Sequence, residues 1–312
     1  MKKKQSVCAM LLCTCLMLIV TFDAKSNMEI TLQEKLYSNI ESRGIHSSMA
    51  IELPDGKIVA SGIKNDIAFL ICLNENAETI WKVEFKESTK SKIISFDILQ
   101  KSIFAIEEVK YEWPKESGYF LLQVQSDATY QREKIETRMF TPQKIVAGEN
   151  IYMLLGTERI EKNGDACLSS TIEVYNMEKK MMWRKVLEEQ NITIGGAKET
   201  DLKEYYIWGL EFFDEREPAG VVIKLNEFGE LVWKTEILEE NWPWIAVIAE
   251  GQNGDLHILG NQRKAVIENG EMQPFYKFYA HIDSNGNVIR KLILWPDDTD
   301  YDVNDPVYFS TY

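Results

Sequence analysis

One short stretch of this chain recurs with fixed internal spacing. Phe69-Leu-Ile-Cys-Leu-Asn74 is followed by Trp81, Thr171-Ile-Glu-Val-Tyr-Asn176 by Trp183, and Val221-Val-Ile-Lys-Leu-Asn226 by Trp233. In each copy Trp stands seven residues after Asn. Two looser copies keep the frame: Phe120-Leu-Leu-Gln-Val-Gln125 with Arg132, and Phe278-Tyr-Ala-His-Ile-Asp283 with Arg290. The last landmarks step by 51, 51, 50 and 57 residues. A period of this size marks stacked supersecondary units, none able to bury its apolar surface alone.

Each unit contains four short apolar segments. In the first they are Met49–Leu53, Lys57–Gly62, Ala68–Leu73 and Thr79–Phe85, with the turn signal Pro54-Asp55-Gly56 between the first two. The first segments of the later units are 94–98, 143–147, 193–197 and 245–249, and the second segments 102–106, 151–156, 205–209 and 256–260. Asn226-Glu-Phe-Gly229 and Asp283-Ser-Asn-Gly286 carry the glycine that a tight turn favours, so the last two segments form a hairpin. Helical periodicity is confined to fragments of 86–92 and 196–204. Four antiparallel strands repeated five times predict an all-β chain, a β-propeller of four-stranded antiparallel blades. Five complete blades are expected, over units of about 46–88, 89–140, 141–189, 190–240 and 241–294. Extra strands at 28–37 and 306–312 leave room for an incomplete sixth. The recurring tryptophans are expected as buried packing plugs between blades.

The rest of the chain supports one β domain over 25–312. Of its 312 residues 45 % are hydrophobic and 27 % charged, enough to build a core and unlike a disordered chain. The net charge of −14 argues against nucleic acid and anionic membrane surfaces as partners.

Residues 1–24 read as a signal peptide. Lys2, Lys3 and Lys4 precede the apolar run Val7–Val20, and Ala24 supplies a small residue at the cleavage point. The run is too short for a comfortable span of about 20 residues, so the mature chain is expected to be exported without a transmembrane anchor. Cys15 could be read as a lipidation site, but the apolar run continues past it. Only Cys72 and Cys167 follow the signal segment, which allows one bridge and no disulfide framework.

The frame Lys224-Leu225-Asn226-Glu-Phe-Gly229-Glu-Leu-Val-Trp233 resembles the signature of exported bacterial β-propeller repeat proteins of the quinoprotein-like (PQQ-like) short-repeat kind. The resemblance covers roughly residues 30–294 and implies a fold and a compartment rather than an activity. Relatives in such a group include binding and scaffolding modules. The cofactor and calcium residues of the quinone-dependent dehydrogenases find no counterpart here, and no cofactor is expected. Ala77 replaces the glycine, and Arg132 and Arg290 replace the tryptophan.

Inserts between second and third strands, at 107–118, 157–170, 211–220 and 261–277, are expected on one face as a variable binding surface. They offer Tyr111, Trp113, Glu116, Glu158, Arg159, Asp214, Glu215, Arg216 and Glu217 to a protein, peptide or glycan. A polysaccharide hydrolase or lyase would need two of these carboxylates facing across a cleft. The tail places Asp298, Asp300, Asp302 and the backbone of Asn304 at the alternation of a calcium loop. Val303 and Phe309 stand where that loop needs Gly and Glu, so calcium is at most a weak expectation. The three histidines form no zinc motif in sequence, with His257 and His281 in separate strand patterns of the fifth unit. Nucleophile-elbow and phosphate-loop glycine motifs are absent. A non-enzymatic binding or scaffold protein of the cell envelope or extracellular space is therefore expected first. A carboxylate-based hydrolase and a purely structural envelope protein are the alternatives.

Overall fold

The computed structural model describes residues 46–294 except 54, 88–89, 111–117, 137–139, 163–164, 188–190, 214, 239–242, 252 and 264–274. The signal segment, the terminal strand candidates and the acidic tail lie outside the described residues. Five four-stranded antiparallel sheets follow one another along the chain, each with its strands in sequential order. This is the blade of a β-propeller. The first sheet is β1 (His46–Glu52), β2 (Ile58–Lys64), β3 (Ile67–Leu73) and β4 (Thr79–Glu84). The second is β5 (Lys90–Leu99), β6 (Ser102–Lys110), β7 (Gly118–Val124) and β8 (Tyr130–Ile135). The third is β9 (Phe140–Ala147), β10 (Ile151–Lys162), β11 (Asp165–Asn176) and β12 (Met181–Val186). The fourth is β13 (Ile192–Glu199), β14 (Tyr205–Glu211), β15 (Ala219–Leu225) and β16 (Leu231–Leu238). The fifth is β17 (Trp244–Glu250), β18 (Leu256–Arg263), β19 (Phe275–Ile282) and β20 (Val288–Leu294). Among the described residues no helix is long and apolar enough to cross a membrane. Cys72 and Cys167 are free thiols.

The chain divides into two compact units at Lys92/Ile93. In the first, Ala60, Phe69 and Leu73 form a small core between β2 and β3. In the second, the sheets share apolar layers in chain order. Phe104, Ile106 and Leu121 meet Ile145, Tyr152 and Leu154 between sheets two and three. Met153, Leu155 and Val174 meet Ile192, Tyr205, Ile207 and Ile223 between three and four. Tyr206, Trp208 and Val222 meet Ile245, Ile258 and Phe278 between four and five. Successive residues of a strand point to opposite faces, so Tyr152 and Met153 serve different layers. The inner strands therefore read as continuous apolar runs, and all seven residues of β14 are buried.

All five hairpins between third and fourth strands share one turn. The fourth turn residue donates its N–H to the first, as in Ala77 to Asn74, Lys179 to Asn176 and Gly229 to Asn226. That residue is left-handed in every copy: Ala77 (φ 61°), Ala128 (φ 69°), Lys179 (φ 62°), Gly229 (φ 78°) and Gly286 (φ 88°). In four sheets a register shift follows the turn and sets Trp81, Trp183, Trp233 and Arg290 opposite Cys72, Val174, Lys224 and His281. Sheet two has no such shift, and Arg132 pairs with Leu122. A slip of one residue reverses the face of a strand. Gln131, not Arg132, thus holds the tryptophan slot in sheet two.

The tryptophans occupy matching positions but are half-buried rather than fully buried. Trp183 and Trp233 pack at the margin of their apolar layers and over the turn of the following sheet. A Cβ on Gly229 would come within 2.7 Å of Trp183, and one on Gly286 within 2.8 Å of Trp233. Trp233 also donates Nε1–H to the Ser284 carbonyl at 3.1 Å. Where Gln131 replaces the indole, the next turn carries Lys179, whose ammonium reaches Glu133 at 2.9 Å.

Candidate functional site

In sheets two, three and four, buried acids are paired with cations towards the end where second strands pass to third strands. The expected loop at 157–170 is largely strand, because β10 and β11 stay paired as far as Lys162 opposite Asp165. Each has 12 residues, which carries this hairpin beyond its equivalents of seven to nine residues. Arg159 is exposed and sits opposite Leu168, which is 69 % exposed. Glu158, a surface candidate from sequence, is buried. Glu215, Arg216 and Glu217 are exposed on the β14–β15 connection. Arg216 grips Glu236 at 2.9 and 2.8 Å and stacks over the Phe213 ring at 3.6 Å. Tyr111, Trp113, Glu116 and Asp214 lie outside the described residues, as do Asp298, Asp300, Asp302 and Asn304.

Buried acids at this end meet cations, of which only Arg132 was a landmark of the repeat frame. Arg184 ties Glu158 to Glu173, which it reaches at 3.0 Å from Nε. Thr171 Oγ1 is 3.3 Å from Glu158, and the Tyr175 hydroxyl donates to Glu173 at 2.7 Å. Lys234 reaches buried Glu211 at 2.5 Å. In sheet two, Arg132 turned to the opposite face reaches fully buried Glu107 at 2.8 Å and stacks over Phe120 at 3.5 Å. Two cations follow a tryptophan directly, in Trp183-Arg184 and Trp233-Lys234, and that dipeptide is the signal that could have found them. Glu158 and Glu173 are two carboxylates brought to one place, but both lie on one guanidinium. One guanidinium bridges the two carboxylates across three strands, which is a structural use of acids rather than an acid and base facing a cleft.

A second cluster lies along the first strands of unit two. Neighbouring first strands come from different sheets, so side chains stitch them to main chain one repeat away. Ser95 and Asp97 of β5 accept the Ile145 and Ala147 N–H groups of β9 at 3.1 and 2.9 Å. Lys144 of β9 donates to the Gly195 carbonyl of β13 at 2.9 Å, and Glu199 accepts the Glu149 N–H at 2.8 Å. Burial pushes the Asp97 carboxyl above its ordinary value, against the opposing pull of the Ala147 and Ile98 N–H donors and of Lys144. Burial likewise pulls the Lys144 ammonium down, with Asp97 opposing. The stitches span 50 or 51 residues, one repeat, but the repeat frame was built on third and fourth strands and did not single these residues out.

No protein-family model matches the chain, and no curated protein is significantly similar to it. Solved structures are similar in fold. The β-propeller domain of the trilobed protease from Pyrococcus furiosus aligns with 84 % of this chain and 69 % of its own, at 16 % identity and a TM-score of 0.48. A catalytically inactive virginiamycin B lyase from Staphylococcus aureus aligns with 79 % of this chain and 84 % of its own, at 10 % identity and a TM-score of 0.46. An apocarotenoid oxygenase mutant from Synechocystis aligns with 80 % of this chain, which spans 61 % of the oxygenase, at 10 % identity and a TM-score of 0.49. No activity, substrate or partner follows from likeness at this level, and the assignment of the blades rests on the strand pairing itself.

Proposed function

We propose that this chain is an exported β-propeller binding protein that engages a protein or peptide partner at the end bearing the β10–β11 hairpin. The observation that carries the reading is that hairpin: two paired 12-residue strands that present Leu168, 69 % exposed, beside the exposed Arg159. An exposed apolar side chain beside a guanidinium on a paired ladder gives a partner a contact to bury. Export rests on the basic start and short apolar run of residues 1–24, and the quinoprotein-like resemblance supports a place in the envelope or outside it. The bound buried acids favour binding over hydrolysis.

Cys167 is half-buried beside Leu168 and offers a handle. A thiol-specific photocrosslinker at Cys167 in the native host should yield one dominant protein adduct. That adduct should vanish when Leu168→Glu and Arg159→Glu are combined. A panel of envelope polysaccharides should show no binding that this variant removes. Loss of polysaccharide binding in the variant would move the reading to a glycan, and a missing adduct would overturn it. Intact mass of the recovered protein tests removal of residues 1–24.

A further inference from the structure

The row of side chains that seals one sheet against the next changes character in sheet five. Strand pairing aligns Met153, Val174 and Trp183 across sheet three, Tyr206, Lys224 and Trp233 across sheet four, and His257, His281 and Arg290 across sheet five. Met153, Val174 and Tyr206 are at most 1 % exposed, packed into the layer shared with the following sheet. His257 and His281 are only half-buried, and Arg290 is exposed. Leu259 and Tyr279, paired on the same face, are half-buried as well. We propose that this face of sheet five is the docking site of the chain's own acidic tail, residues 297–312.

Charge is the first reason for that occupant. Asp297, Asp298, Asp300, Asp302 and Asp305 follow Lys291 with no further Lys or Arg in the chain. The face carries Arg290 where sheets three and four carry tryptophan, and among the described residues no hydrogen bond or ion pair engages its guanidinium. Lys277 lies on the same face, two residues before Tyr279. Asp255 stands at the edge of this face, and its Oδ2 is already engaged 3.2 Å from His281 Nε2. Reach is the second reason. Arg290 stands four residues before the end of β20 at Leu294, about 14 Å along a strand at roughly 3.4 Å per residue. Asp305 is eleven residues beyond Leu294, a span of up to about 36 Å at roughly 3.3 Å per residue. Pro296 cannot donate to a strand ladder, which favours a turn there.

The mixture of side chains is the third reason. Tyr301 and Val303 alternate with the aspartates of the tail, and Leu259 and Tyr279 give the face apolar surface beside its cations. An acidic and apolar segment complements such a face in both respects. Other occupants fit it less well. A second copy meeting the same face in a two-fold contact would bring cations against cations. A purely apolar partner would bury the Arg290 guanidinium without a counter-charge. The tail also has the advantage of attachment, since a short tether gives an effective concentration of about millimolar and modest contacts then suffice.

The test is hydrogen exchange, read by mass spectrometry on the full chain, with a synthetic peptide of residues 297–312 as reference. At low salt the tail amides of the native chain should exchange about tenfold more slowly than those of the peptide, or slower still. This protection should fall away at about 1 M NaCl, where the Debye length shrinks to about 3 Å. Full-length Arg290→Glu should bring the tail to the peptide's rate. So should a full-length variant with Asp297, Asp298, Asp300, Asp302 and Asp305 all changed to Asn, whereas Lys180→Glu in sheet three should leave the tail protected. The labelled peptide should bind the Asn-tail chain about tenfold more tightly than the native chain, whose own tail competes. A native tail that exchanges like the free peptide would overturn the proposal, and that readout needs no variant to fold. Protection that survives Arg290→Glu would place the tail elsewhere and overturn it too. Protection lost on dilution would assign the docked tail to a second copy and refute docking within one chain.

Discussion

Gly229 lies beneath the indole of Trp183, one sheet earlier in the chain. A Cβ there would press to within 2.7 Å of the ring, and the backbone is left-handed at φ 78°. Gly56 shares the left-handed backbone at φ 79° but has nothing within 4 Å of its Cβ position. Gly56→Ala should therefore cost only the conformational penalty, about 1–2 kcal/mol. Gly229→Ala should cost that plus displacement of the ring, about 1–3 kcal/mol more. Equal losses in chemical denaturation would show that the indole does not press on the turn.

Trp183→Ala and Trp233→Ala should each destabilise by about 2–3 kcal/mol. This lies below the roughly 3–5 kcal/mol of a fully buried large aromatic, because both rings are half exposed over a turn. The same denaturation series measures it, and a loss under about 1 kcal/mol would mean that the indole is not an inter-sheet contact.

Glu211 is buried, and Lys234 is its ion-pair partner at 2.5 Å. Lys234→Met should cost about 3–5 kcal/mol, since it strands a buried carboxylate. The double variant Glu211→Leu/Lys234→Met should recover most of that loss. A double-mutant cycle reads the coupling, and simple additivity would refute it.

Asp97 gives a pH signature. Burial raises its native pKa above the unfolded value, so the native state holds the proton more tightly. Its contribution is fully present below the ordinary carboxylate value and is lost as pH rises through the native pKa. Relative to Asp97→Asn, the parent should therefore gain stability as pH falls from 7 toward 4. Parallel pH–stability curves for the two proteins would show that Asp97 carries no such linkage.

The blades were legible because apolar alternation and turn residues act locally. Asn226 to Gly229, for example, specifies its turn from four adjacent residues, and the strands on either side follow from a period of two. The same local rules predicted five units of four strands, and the described residues form five four-stranded sheets. They also aligned Arg132 with the tryptophans by counting from Gln125, and there counting failed. Whether a register shift follows the turn is settled by packing on both faces of the strand, and sheet two lacks the shift, so Arg132 points to Glu107 instead.

The sequence by itself determined the all-β class, the number of four-stranded units and the turn at each hairpin, because these depend on neighbours within about ten residues. Only the tertiary structure decided which charges meet. Arg184 finds Glu158 and Glu173, Lys144 finds the Gly195 carbonyl, and His257 finds His281. Each of these contacts joins residues 11 to 51 positions apart on different strands. Strand register and sheet stacking set those distances, and a one-residue slip would have turned every one of these side chains away.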